Sequence, residues 1–393
     1  MIKNYKVRLH VLSPVHIGMG DAYDPTQFVI DKDGLMYVFD TNDFLKSLSP
    51  EKSVEFCKLA DNANNPVPVF RFFKENFDKN KVKYREVKAS KDLAERYEQI
   101  CNSSSFGKDV INQFELKRTI YNPIKNVPYI PGSSLKGCLK TIWMSETNRQ
   151  SNDSNKRNPE NPPQKYEIGD LEKKVLKGSF STDPFRLVKV SDLYPIENED
   201  IFLSQIMYAV MFSRKTPTVK NTLPVALEVI PKGNVFEGII TLDDMNDLKN
   251  IHQKDKPKEV ITMDSLLKDS RLYYLTHPEL INNEKKWVDS KMVYENKLLQ
   301  SSKFGAMGLN LRDMINKLRN NNCFPVRLGH HSSAEFITID GCRSVKITPP
   351  GVKPAKYSER ATSIWLASSK RKPENAKGLQ SFGWALLEFE EIK

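Results

Sequence analysis

The sequence has little cysteine, little histidine and no long apolar run. Five cysteines among 393 residues, at 57, 101, 138, 323 and 342, are odd in number and widely spaced, which supports neither a disulfide framework nor a CxxC metal site. Of six histidines only His330 and His331 are adjacent, and no HExxH or Cys-paired spacing occurs, so neither a metal nor another cofactor is expected. No apolar stretch approaches the ~20 residues that a bilayer span requires. The opening MIKNYKVRLH alternates polar and apolar side chains where a signal peptide would carry an apolar core. A cytoplasmic protein without membrane contact is the expectation.

What is present is an excess of positive charge. Sixty Lys and Arg against 49 Asp and Glu give a net charge of +11, which suggests a polyanionic partner, nucleic acid before membrane. The excess is uneven: between Arg343 and Lys377 lie nine Lys or Arg and two Glu, interleaved with Tyr357 and Trp365. Basic and stacking groups in one segment suit a single-stranded nucleic acid.

Residues Tyr5, Val7, Leu9 and Val11 alternate with Lys6, Arg8 and His10, the pattern of a half-buried strand. A Gly-x-Gly loop and an Asp-Pro turn follow, and then a hairpin around Lys32, Asp33 and Gly34. Residues 41–120 read as mostly helical, charged and loosely patterned, and are expected to be an insertion. In YIPGSSLKGCLKTIW (129–143), Ser133 or Ser134 is the expected N-cap of a helix that buries Leu135, Leu139 and Ile142. The N–H groups at that helix start, beside two hydroxyls and Lys136, favour an anion such as phosphate, and Gly132 and Gly137 admit a second backbone. A polar, Asn- and Pro-rich tract makes 148–180 a second insertion. Strands are expected at 185–193, 223–230 and 234–243, helices over 261–320, and strands again at FPVRLG and FGWALLEFE. This order fits an α+β fold of ferredoxin-like or RNA-recognition-like units.

Three glycine-bearing loops sit at strand ends beside His, Arg or Ser: VHIGMG, VRLGHHSS and GLQSFGWALLEFE. Backbone N–H groups in such loops can line a phosphate path without reading sequence. Each alone is an ordinary turn signal. As a set with the helix start they form a pattern.

LSPVHIGMGDAYDPTQFVIDKDGLMYVFD, YIPGSSLKGCLKTIW and KGLQSFGWALLEFEE resemble the RAMP superfamily of CRISPR-Cas effector subunits. In more detail the chain resembles the subunit of type III-A (Csm) complexes that caps the guide RNA 3′ end, with the equivalent type III-B (Cmr) subunit as the alternative. The resemblance implies two RAMP domains. Residues 1–222 would be the first, with insertions at about 41–120 and 148–180, and 223–393 the second, with its helical segment at about 261–320. It implies crRNA bound by its backbone at His16, Gly18, Gly20, Ser133, Ser134, Lys136, Arg327, His330, Lys377, Gly378 and Gly383. The implied partners are crRNA, the repeated backbone RAMP subunit, the small subunit, target RNA near the guide 3′ end, and host trimming nucleases.

No catalytic residue is expected. Related subunits slice RNA with an aspartate after the first strand, and Asp21 and Asp24 lie there, but the chain continues into a hairpin and both fit turns. A metal-independent crRNA-processing endoribonuclease would use His16, His330 or His331 as general acid or base. A scaffold binding only protein is the third class, told apart by its insensitivity to salt.

Overall fold

A computed structural model describes residues 2–24, 26–61, 67–103, 115–150, 173, 180–196, 201–216, 218–244, 256–257, 259–274, 322–340, 342–347, 356–373 and 379–393. The first part of the chain forms β1 (Lys3–Val11), β2 (Gly18–Ala22), β3 (Phe28–Ile30) and β4 (Leu35–Phe39). Helices α1 (Thr41–Ser47), α2 (Pro50–Ala60) and α3 (Val67–Asn76), β5 (Tyr84–Lys88) and α4 (Lys91–Asn102) follow. Then come β6 (Leu116–Thr119), β7 (Tyr121–Asn122), β8 (Val127–Pro128) and α5 (Gly132–Gln150). The middle contributes β9 (Val188–Val190), β10 (Tyr194–Pro195), β11 (Gln205–Ser213), β12 (Thr218–Val219), β13 (Val225–Val229), β14 (Val235–Leu242) and α6 (Met263–Tyr274). The last part holds β15 (Cys323–Arg327), β16 (Val345–Ile347), β17 (Lys356–Ser358), β18 (Ser363–Ser368), β19 (Gln380–Ser381) and β20 (Trp384–Ile392).

Two sheets organise these strands. The first is antiparallel in the order β10-β14-β1-β20-β15, with β9 also on β14. Its logic is the alternation in β1: Tyr5, Val7, Leu9 and Val11 are buried, and α5 and α6 cover that face with Leu135, Leu139, Trp143, Met263 and Leu266. On the opposite face Lys6 and Arg8 pair with Glu237 at 3.0 and 3.2 Å, and His10 with Glu388 at 2.8 Å. Partly exposed pairs of this kind each contribute about 0–1 kcal/mol, so burial and the strand ladder hold the sheet. Helices on one face of an antiparallel sheet make the class α+β.

The second sheet is mixed, in the order β2-β6-β13-β11-β5-β4-β3, with β12 and β18 on β11 and β19 on β18. Helices α3 and α4 pack Phe70, Leu93, Tyr97 and Ile100 against its apolar face. On the other side of the β3–β4 hairpin, Phe39, Phe44, Phe72 and Phe73 form an aromatic cluster, with Phe44 and Phe73 stacked at 4.2 Å.

The segment 41–120 is therefore framework as well as helix. β5 lies between β11 and β4 inside the sheet, and its inward residues are Arg85 and Val87. An inward arginine breaks the apolar alternation by which a strand is read. Both sheets take strands from either side of the boundary expected at 222/223. Most of the 148–180 tract, and the helical segment beyond Tyr274, lie outside the described residues.

Candidate nucleic-acid interface

The three glycine loops meet at one place. The N–H of His330 donates to the His16 carbonyl at 2.8 Å, that of Leu328 to the Gly383 carbonyl at 2.8 Å, and that of Gly383 to the Pro14 carbonyl at 2.8 Å. Gly329 and Gly383 make this possible. Both have positive φ, at 82° and 89°, and a Cβ would stand 2.4 Å from the His16 oxygen or 2.3 Å from the Leu328 oxygen. No other residue tolerates both the conformation and the approach.

Beside this junction opens a cleft of about 590 Å³, lined among others by His16, Gly18, Gly20, Lys117, Arg118 and His330. Gly18 and Gly20 are exposed, Gly20 at φ +82° with open space around it. β2 pairs with β6 there across a register shift. Exposed loop backbone beside Lys117, Arg118 and His330 is the chemistry that accepts a phosphodiester path.

Two of the imidazoles at this junction are wholly or partly buried. His16 is buried, with Nδ1 2.7 Å from the Glu228 carbonyl oxygen, so Nδ1 carries the proton, since a carbonyl only accepts. Burial lowers its pKa below the usual histidine value, against that hydrogen bond and with His330 adding to the effect. His331 is pushed down to about 3 by burial, then by His330 and His16. Its ring also lies 5.1 Å from Trp365, which places one aromatic of the basic C-terminal segment against the junction. Neither His16 nor His331 is an imidazolium at neutral pH.

Behind His16, whose ring bonds the Glu228 carbonyl, lies a buried ion pair. Glu228 is fully buried and accepts from Arg85 Nη1 at 2.6 Å, the Tyr23 hydroxyl at 2.8 Å and the Thr119 N–H at 3.1 Å. Burial pushes the Glu228 carboxyl up, and Arg85 together with the hydrogen bonds from Tyr23 and Ser204 reverses this, holding it below the usual carboxylate range. Sequence reasoning missed Glu228, Arg85, Lys117 and Arg118. One signal existed: a lone glutamate inside the apolar run LPVALEVI requires a buried cation from elsewhere.

Other expected positions fall apart from the cleft. α5 begins at Gly132, so Pro131 and neither serine is the N-cap, its carbonyl accepting from the N–H groups of Ser134 and Leu135 at 3.0 and 3.2 Å. The anion at this helix start is the protein's own: the Gly132 N–H donates to Asp192 Oδ1 at 2.9 Å. Gly132 does admit a second backbone, since a Cβ would lie 2.2 Å from the Val190 oxygen, whereas Gly137 faces open space. Ser133, Ser134 and Lys136 do not line the cleft.

Arg327 is buried, donates from Nε to the Phe382 carbonyl at 3.0 Å, and lies 4.1 Å from the Phe336 ring and 4.8 Å from that of Trp384. It is a core arginine and does not reach a surface-bound phosphate, because both faces of β15 are covered and all five of its residues are buried. Lys377 and Gly378 lie outside the described residues. Asp24 accepts from the Thr26 N–H at 2.9 Å and hydroxyl at 2.7 Å, forming a turn. Asp21 stands 3.6 Å from Arg118. Among the described residues no cluster of three His, Cys, Asp or Glu could hold a metal ion, and no helix is long and apolar enough to cross a membrane.

Comparison with known proteins bears on this architecture. The chain is 28% identical over 215 residues to the CRISPR system Cms protein Csm5 of Streptococcus thermophilus, covering 52% of this chain and 55% of that one. The chain thus spans little more than half the length of that relative. It is 23% identical over 332 residues to the protein of the same name from Methanocaldococcus jannaschii, covering 78% of this chain and 70% of that one. A chain of a Csm–crRNA–target RNA ternary complex from a type III-A CRISPR-Cas system shares the fold, with a TM-score of 0.58, 17% identity, and 98% of this chain and all of that one covered. The RAMP superfamily model matches residues 8–317, most of the chain, and the protein therefore belongs to the RAMP superfamily.

Proposed function

We propose that this protein is a subunit of a type III-A CRISPR RNA-guided complex that holds the 3′ region of crRNA by its phosphate backbone, caps the filament of backbone subunits and performs no cleavage itself. The observation that carries the reading is the cleft in which exposed Gly18 and Gly20 adjoin Lys117, Arg118 and His330. The similarity to proteins named Csm5 supports it. A guide complex must accept any spacer, which requires contact with shape and phosphate before base edges. In this role the partners are crRNA, target RNA near its 3′ end, the repeated backbone subunit, the small subunit, and nucleases that trim the guide.

The test is RNA affinity against salt. Two or three phosphate contacts on a single strand give a log–log slope of about −2. Affinity that ignores salt would overturn RNA binding and leave a protein-only scaffold.

A second reading follows from the convergence of His16, His330 and His331, with ring centroids 4.3–6.4 Å apart. If histidines alone were to catalyse metal-independent cleavage at a 2′-hydroxyl, one imidazole would act neutral as the base and one protonated as the acid. The lowered pKa values of His16 and His331 count against either as the acid. Incubating precursor crRNA with the protein in chelator decides between the two: intact RNA is expected, and cleavage that His16→Ala abolishes would establish the nuclease.

A further inference from the structure

A second cavity, of about 260 Å³, shares Arg118 as a wall with the glycine-loop cleft. We propose that it receives one unstacked nucleobase from the RNA strand whose backbone crosses that cleft. The inference rests on the backbone-binding reading and adds to it a place where a base, and not a phosphate, is held.

Arg118 is 8% exposed, and its guanidinium carbon lies 4.8 Å from the ring centroids of both Tyr23 and Tyr121. Its Nε is buried and has no hydrogen-bond partner among the described residues. The cavity is thus walled by a guanidinium packed against two aromatic rings, a surface on which a planar group can stack.

The lining decides what that group is. Lys83 and Arg118 line the cavity together with Asp40 and Asp43, Arg118 also stands 3.6 Å from Asp21, and the charge of Arg85 is already answered by Glu228 at 2.6 Å. Cations balanced by carboxylates disfavour a phosphate. They suit a neutral, planar group that both donates and accepts hydrogen bonds. The donors and acceptors are placed for it: Asp40 caps α1 through Oδ1, to the N–H groups of Asn42 and Asp43, so its other oxygen takes neither bond. Gln27 accepts through Oε1 from the Asp24 N–H at 3.0 Å, which leaves its amide nitrogen to donate.

Tyr121 is half-buried and belongs to the β7–β8 hairpin, which also supplies Pro123 and Asn126 to the rim. The Arg85 and Arg118 guanidinium carbons already lie 5.3 and 4.8 Å from the Tyr121 ring centroid, and a base stacks on this layer of ring and guanidinium regardless of sequence. The volume falls below the roughly 300–1,000 Å³ of sites for drug-sized ligands and fits a single ring system. A strand lying along Gly18–Gly20 and Lys117 can turn one base past Arg118 into this space.

The experiment crosses two proteins with two ligands. Full-length wild type and Tyr121→Ala are each titrated, at low salt, with a single-stranded RNA and with an abasic ribose-phosphate oligomer of equal length. Wild type is expected to prefer RNA over the abasic oligomer by about tenfold more than the variant does, and Tyr121→Phe to restore the preference. If Tyr121→Ala fails to fold, Tyr121→Leu keeps the apolar bulk without the aromatic face and gives the same comparison. Equal losses on both ligands would overturn the base pocket in favour of an anion site while leaving backbone binding intact. Equal affinities for both ligands in both proteins would also overturn it. Wild type binding neither ligand would overturn the backbone reading and this inference with it.

Discussion

The glycine-loop cleft and the start of α5 draw on the same inventory of glycine, small hydroxyl and basic side chains, yet one opens to solvent and the other is closed by its own chain. At the cleft, Gly329 and Gly383 let three loops press together, and the leftover glycines, Gly18 and Gly20, remain exposed. At α5, Gly132 presses against Val190 and Ser191, and Asp192 takes the first N–H. A glycine motif thus states that backbones approach closely. Whether the approaching group is the protein or a ligand depends on whether a partner segment already occupies the space, and a helix N-terminus capped by a native carboxylate has less to offer a phosphate.

The comparison breaks first where each region is anchored. Glu228→Gln leaves Arg85 charged and buried without its counter-charge, and is expected to cost about 4 kcal/mol in denaturant unfolding. The pH dependence carries a definite sign. Because the Glu228 pKa is lowered on folding, its contribution is present above the unfolded value of about 4.3 and is lost as pH falls below it toward the folded value. The wild type should therefore lose more stability than the variant on acidification in that window, and equal slopes would remove Glu228 as the anchor. Next, Gly132→Ala forces a Cβ to 2.2 Å from a backbone oxygen and is expected to cost about 3 kcal/mol. A variant as stable as wild type would mean that the 190–192 segment is not fixed there.

How far these regions were legible follows from the range of the signal. The strand alternation in β1 and the helical spacing of Leu135, Leu139 and Ile142 are local, and all of these residues are buried as read. The convergence of VHIGMG, VRLGHHSS and the last glycine loop was visible only as three similar turns, since nothing local says that Gly329 meets His16. The Asp192 cap is 60 residues from Gly132, and such a remote cap leaves no mark near the helix. Arg85 was missed and Arg327 was read as an RNA contact for one reason. Charged side chains at inward strand positions look like surface until the partner, Glu228 for one and the Phe336 and Trp384 rings for the other, is known.

Ligand binding then separates the two regions. Lys117 lines the cleft and, among the described residues, pairs only with exposed Glu115, so Lys117→Glu should weaken single-stranded RNA binding about tenfold and reduce the salt slope by about 1. Lys136 sits on α5 away from the cleft, half-buried, with its pKa lowered by burial. Lys136→Glu should weaken the same RNA by about twofold, the effect of net charge at a distance. A larger loss at Lys136 than at Lys117, in titrations at matched ionic strength, would move the RNA path from the glycine loops to the helix face.

The smallest effect sharpens the contrast within α5 itself. Gly132 and Gly137 stand five residues apart in one helix, and a motif reading treats them alike. A Cβ at Gly137 meets nothing within 4 Å, and its φ is not positive, so alanine there adds no contact and removes backbone freedom from the unfolded chain. Gly137→Ala should therefore stabilise the protein by about 0.5–1 kcal/mol, read as a higher denaturant midpoint with an unchanged m-value. RNA affinity should stay the same if that helix face is bare in the complex. A stabilised protein with weakened RNA binding would show instead that Gly137 is glycine because a ligand backbone, and not a protein one, comes close.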